Sequence, residues 1–213
     1  MARLWPTLDW ARLDATFPAF AVLVAQLVQK NRGTSAGLSA AYLRAFRSTA
    51  GIPGEAKAVF AQPLNVDQFT TSLRSTSVVA LKESAKRGVP AEKALPDALT
   101  QAQGAMSRLV LNAGRETTIE TLRADTAAVG WQRILGTGGC NFCRVLAERG
   151  AVYKEETVDF AAHDHCGCSV VPQYGGELRT VKEYVPSTRF GTPGKRAANN
   201  AGIRTWLQQH PSA

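Results

Sequence analysis

All four cysteines of the chain fall within 29 residues, as Cys140-Asn141-Phe142-Cys143 and His163-Asp164-His165-Cys166-Gly167-Cys168, together with two of its three histidines. Two thiols three positions apart on a tight turn can bind one metal ion, with sulfur about 2.3 Å from it and an imidazole nitrogen about 2.0–2.1 Å. Six donors are thus available for a shell of four. The 19 residues between Cys143 and His163 suffice to fold one small element before the chain returns. Spacing favours Cys140, Cys143, His163 and Cys166 around a structural zinc ion, with Cys168 as the first substitute and His165 as the second. Gly136, Gly138 and Gly139, and Gly167 in the second knuckle, are expected to supply the positive φ of sharp turns. A redox C-x-x-C should follow a strand and open a long helix, and it leaves the second cluster unexplained. Metal-free thiols, or disulfides formed in an oxidising medium, remain open alternatives. A fourth protein donor argues against an open catalytic zinc, and no H-E-x-x-H is present.

The elements that position these donors follow from the apolar pattern. Leu13, Phe17, Phe20, Val24, Leu27 and Val28 recur at helical spacing, and Asn31-Arg32-Gly33 predicts a stop. Thr34 or Ser35 would then cap a second helix through Leu38, Tyr42 and Phe46. A third carries Val66, Phe69, Leu73 and Leu81 and ends at Arg87-Gly88-Val89-Pro90. A fourth begins after Pro90, with a seam of Ala102, Met106, Leu109 and Ala113 that can continue through Leu122. Near Ala127 the pattern changes. Val129, Trp131 and Ile134 alternate as a short strand, Arg144–Arg149 is a short helix stopped by Gly150, and Val152-Tyr153 and Ser169–Pro172 are further extended pieces. Trp131, Phe142, Tyr153 and Phe160 are the expected apolar backing of the metal site. Residues 199–208 form a last short helix on Ile203, Trp206 and Leu207.

The fold expected is mainly α: a helical body (1–127), a small α+β zinc-knuckle module (128–176) and a basic tail (177–213). Such a module has little core of its own, which a structural metal offsets. The charge divides unevenly. The body holds 15 Lys/Arg against 10 Asp/Glu, the module 4 against 5 and the tail 6 against 2, within a net charge of +8. A positive field of this kind attracts phosphate or acidic protein surfaces, and Arg179, Lys182, Lys195, Arg196 and Arg204 are the candidate contacts to double-stranded DNA. The run Phe17–Val28 has the length of a signal-peptide core, but Asp9 and Asp14 precede it and no cleavage site follows. It is too short to span a bilayer, so a buried helix and no membrane partner are expected.

One family resemblance covers about residues 105–175. The residues that carry it are Gly114-Arg115-Glu116-Thr117-Thr118, Val129–Ile134, the first knuckle with Leu146–Tyr153, and the second knuckle with Val171-Pro172. Together they resemble the Mu F-like head-morphogenesis (minor capsid) proteins of tailed bacteriophages, and the variants in phages of actinobacteria in particular. The resemblance implies a virion protein of the head interior or portal vertex, with the portal protein or major capsid protein as partner. Some relatives are fused to capsid maturation proteases, so that activity is the alternative. The residues favour assembly over catalysis. His163 and His165 lie in the metal cluster, His210 lies three residues from the end, and Glu148 and Asp164 are only nominal general bases.

Overall fold

Leu13, Phe17, Phe20, Val24 and Val28 form the buried stripe of a first helix, α1 (Leu13–Thr49), in the computed structural model of the chain. The structure describes residues 1–136, 139–151, 160 and 162–176. The stop expected at Asn31–Gly33 does not occur, because the stripe continues through Arg32, Ala36, Ala40, Leu43 and Arg47. Arg32 is buried and donates to the carbonyls of Leu109 (2.8 Å) and Gln62 (2.8 Å), so a charged residue does the work of a core position. Gly33 is left on the open side of the helix, where its cost is about 1 kcal/mol against Ala. Thr34 and Ser35 consequently cap nothing. Leu38 and Tyr42, expected in a core, are exposed.

The third predicted helix is α2 (Val66–Arg74), a π turn at Ser75–Val79 and α3 (Ala80–Lys86). Ser77 is fully buried there and donates to the Leu73 carbonyl (2.5 Å). The wider turn lets Val78 and Leu81 join Phe69 and Leu73 on one buried face, while Val66 stays exposed. Next comes α4 (Ala91–Ala124), as its spacing predicts. Its Ala94, Ala98, Ala102, Ala105, Met106 and Leu109 pack with Phe17, Phe20, Val24, Leu73, Val78 and Leu81 in the main core. Against the expectation of a run too short to span a bilayer, α1 is long and apolar enough by composition to cross a membrane; Phe17, Phe20, Val24 and Val28 face this core, while Val22 and Leu23 are exposed.

Past α4 the chain forms β1 (Gly130–Ile134), α5 (Asn141–Glu148) and β2 (Ser169–Gln173). The strands pair antiparallel, with Trp131 opposite Pro172 and Arg133 opposite Val170. Trp131 and Val170 pack with Leu43, Ile119 and Leu122 in a second core cluster. The result is mainly helical, with a small sheet beside the cysteines. The described residues fall within one compact unit. Val152-Tyr153, the 199–208 helix and the whole tail from 177 lie outside the described residues.

Candidate metal centre

Cys140 stands at the N-cap of α5, and its sulfur accepts from the Cys143 N–H (3.5 Å). The helix therefore begins at Asn141, three residues before the sequence places it. One turn of helix then puts both sulfurs of the first knuckle on the same side, with Cys143 buried and Phe142 turned outward and half exposed. Phe142 is thus no backing for the site. Phe160 packs against the buried cysteines, whereas Trp131 lies in the neighbouring apolar cluster and meets Phe160 with ring centroids 5.8 Å apart; Tyr153 lies outside the described residues.

The second knuckle meets the first through His163. Its Nε2 lies 2.9 Å from Cys140 Sγ and 3.3 Å from Cys143 Sγ, and Cys143 Sγ lies 3.6 Å from Cys166 Sγ. Two donor groups result, Cys140–Cys143–His163 and Cys143–Cys166–Cys168, which share Cys143. Within each, the donor atoms are within 4.8 Å of one another. Metal–sulfur distances near 2.3 Å in a tetrahedron imply sulfurs about 3.8 Å apart. The Cys143–Cys166 separation fits, while a tetrahedron sets sulfur and imidazole nitrogen about 3.5 Å apart, so the contact to Cys140 needs to open by about 0.6 Å and that to Cys143 by about 0.2 Å to admit an ion. Donor types and spacing fit a metal ion, although each close group holds three donors and Cys166 does not fall in one group with both Cys140 and His163. Cys168 sits beside Cys143 and Cys166 as a fifth donor.

His165 does not join the cluster. It takes φ 61° and turns its ring onto α4, where a Cβ on Gly104 would stand 2.2 Å from its Nε2. That close approach is why position 104 carries no side chain. The glycines before Cys140 also act differently from expectation. Among the described residues neither Gly136, Gly139 nor Gly167 has positive φ; Gly136 instead lies so near the Gly167 carbonyl that a Cβ would be 2.0 Å from its oxygen. Gly138 lies outside the described residues.

Around the donors stands a layer of polar side chains that spacing does not reveal. His163 Nδ1 lies 2.7 Å from the Asp164 carbonyl, to which it donates, leaving the Nε2 lone pair to face the sulfurs. The Asp164 carboxylate accepts from Arg108 Nε (2.7 Å). Arg115, buried on α4, donates from Nε to the Cys168 carbonyl (3.0 Å) and from Nη2 to the carbonyls of Cys166 (2.6 Å) and Cys168 (2.8 Å). Its Nη1 donates to Asn112 Oδ1 (2.7 Å). Phe160 lies against both arginines of the site, 4.8 Å from Arg115 Cζ and 3.7 Å from Arg133 Cζ. In the sequence, Arg115 is one basic residue among several on a helix, and only a partner 51 residues away gives it a role.

The electrostatics are those of crowded thiols. Burial pushes the Cys143 thiol up, and the neighbouring thiols of Cys168, Cys166 and Cys140 push it further. For Cys140, burial is outweighed by the Cys143 N–H, the Cys143 thiol and His163, so its thiol lies below the ordinary range. Cys166 is lowered likewise, burial there being outweighed by the Cys168 N–H, the Cys143 and Cys168 thiols and Arg115. The Asp164 carbonyl raises His163 against a smaller opposing desolvation, although the residue is exposed. Burial lowers Arg115, and Arg133 adds to that, against the attraction of Cys166, Cys168 and Cys143. Thiolates this close compete with one another, and a bound cation is what lets them ionise together.

Residues 1–188 match the family described as VG15 protein, and the chain belongs to that family. The family is phage-associated, which supports a bacteriophage origin. No curated protein and no solved structure matches the chain.

Proposed function

We propose that this chain is a minor capsid, head-morphogenesis protein of a tailed phage, of the Mu F-like kind, in which a structural zinc ion fastens the two cysteine knuckles together. The observation that carries this is the unbroken line of contacts from Cys140 through His163 and Cys143 to Cys166, in a chain of a phage-associated family. Zinc suits the site because thiolate and imidazole are its usual structural donors and a closed four-donor shell leaves no open position. Bound there, the ion would supply cross-linking energy to a segment with little core of its own. Cys140, Cys143, His163 and Cys166 would hold it, with Cys168 able to replace a neighbour. The helical body would dock on the portal protein or the major capsid protein. Arg179, Lys182, Lys195, Arg196 and Arg204, outside the described residues, would meet packaged double-stranded DNA without sequence preference.

Purified protein should carry about one zinc per chain. Cys143→Ser should lose it, and Cys168→Ser should lose it less completely. Co-expression with the portal protein should yield a complex that survives deletion of residues 178–213, while that deletion reduces the salt dependence of DNA binding. Protein free of zinc after reduction, with all four thiols titratable and the fold intact, would remove the metal reading. Failure to associate with either head protein would remove the assembly reading.

One contact favours a second reading. A thiol nucleophile and its base would also stand as Cys140 and His163 do, 2.9 Å apart. Cys143 competes for the same nitrogen at 3.3 Å, which suits a metal shell better than a catalytic pair. Capsid-protein cleavage that vanishes in Cys140→Ser while zinc content and fold persist would establish the maturation protease. Substituting His165 or His210 should leave processing unchanged.

A further inference from the structure

We infer that Arg115 is a positioning residue that couples metal binding at the knuckles to the packing of the helical body. The inference rests on the zinc reading above, and it concerns a side chain that touches no sulfur.

The Arg115 guanidinium is buried and uses three of its nitrogens within the protein. Its fork spans the carbonyls of Cys166 and Cys168, two of the five clustered donors. Holding those two peptide planes fixes the direction in which each Cα–Cβ bond leaves the backbone. The Cys166 sulfur is thereby aimed at Cys143, and Cys168 is kept within reach of both. Asn112, one turn earlier on α4, takes Nη1 and sets the orientation of the fork. Phe160 covers its face.

Charge supports the same conclusion. A divalent ion held by three thiolates and one imidazole carries a net charge of −1, and on the buried side of the site, at Cys143 and Cys166, such a charge favours a cation close by. Arg115 stands where such a cation belongs, bonded to the backbone of the ligands rather than to the ligands themselves. Outer partners that orient ligands in this way commonly change metal affinity 10- to 100-fold. The coupling must run in both directions. An ion that holds the second knuckle in place also holds the carbonyl acceptors of a guanidinium that has left water. Metal loading should therefore strengthen the contact between α4 and the cysteine segment.

The test uses the full chain and zinc itself, with affinity measured by competition against a chromophoric chelator. Melting temperature is measured on zinc-loaded and zinc-stripped protein. Arg115→Met should weaken zinc binding about 10- to 100-fold, and the rise in melting temperature produced by zinc should shrink. Arg115→Lys, which keeps the charge but not the fork, should fall between Arg115→Met and the wild type. Cobalt(II) substitution should show thiolate bands of wild-type intensity in both variants, because no ligand has been removed. Zinc affinities within twofold of wild type would overturn the proposal. So would equal losses of melting temperature with and without zinc, since Arg115 would then be a packing residue only. If Arg115→Met fails to fold, Arg115→Lys decides by the same readouts. A wild-type chain that takes up no zinc would remove the zinc reading and this inference together; zinc-binding wild type with unchanged variants would remove this inference alone.

Discussion

The two halves of α4 are held in different ways. Its first half presents Ala94, Ala98, Ala102, Ala105, Met106 and Leu109 to Phe17, Phe20, Val24 and Leu73. Its second half buries Arg115, Thr117, Thr118 and Thr121, with Asp125 just past its end. Ile119 and Leu122 there share a small apolar cluster with Leu43, Trp131 and Val170, but the buried polar residues find backbone groups and charges as partners. Thr121 and Thr117 accept from the N–H groups of Val59 and Ala61, each at 3.0 Å, and Arg115 holds the cysteine segment. Arg47 of α1 pairs with Asp125 and donates to the carbonyls of Pro53 (2.6 Å) and Gly54 (3.0 Å). Burial of apolar area is undirected and tolerates exchanges of similar volume. A hydrogen bond adds only about 1 kcal/mol net, but breaking one in a dry place orphans its partner. The first half can fold from its pattern alone, whereas the second depends on the segments docked against it.

The largest expected effect tests that division. Phe20→Ala removes a fully buried ring from the first half and should cost about 3–5 kcal/mol in denaturant unfolding. It should leave zinc content unchanged. Chelation should do the opposite, raising hydrogen exchange in 130–136, 162–173 and the second half of α4 while Phe20 and its neighbours stay protected. A chelator that loosens both halves equally would dissolve the distinction between them.

What the sequence discloses follows the same line. The first half of α4 and the stripe of α1 through Val28 are legible because apolar residues at helical spacing have a single physical meaning. The knuckles are legible because few other arrangements need cysteine and histidine at those intervals. The unbroken course of α1 past Gly33 is hidden, because it depends on Arg32 reaching carbonyls 30 and 77 residues away. Placement of His165 on Gly104 is hidden likewise, since a glycine within a helix looks like a weakness until the ring that fills its space is known. Phe142 misleads for a simpler reason. Once Cys140 caps α5, the direction of Cys143 is fixed, and its neighbour must point the other way.

A smaller effect probes one docked segment. Thr117→Val keeps the shape of the side chain but removes the hydroxyl that accepts from Ala61 N–H. Ala61 is half-buried, so its amide would lose that partner at a cost of about 1 kcal/mol. Exchange of the Ala61 amide should rise more than the global stability falls. If stability and exchange change no more than for an exposed threonine such as Thr100, the hydroxyl contacts along α4 contribute nothing to holding residues 59–61.

The smallest effect is visible only in acid. Asp125 is buried, which alone would raise its carboxyl. Arg47, the Ala127 N–H and Tyr174 together outweigh that and hold it below the ordinary value of 3.8. A carboxylate depressed on folding contributes stability that is fully present above its unfolded value and is lost as pH falls through the lower, folded one. Its contribution should therefore be constant at neutral pH and begin to fall only below about pH 3.8. Metal release, which requires protonation of thiolates, should come at higher pH. Unfolding of zinc-stripped wild type and Asp125→Asn across this range separates the two. The stability gap between them should hold steady down to about pH 4 and narrow below it. A gap that narrows between pH 7 and 5 would mean that the ion pair at the far end of α4 answers to the thiol cluster rather than to its own carboxyl, and the second half of the helix would then be a single coupled unit rather than a series of separate clasps.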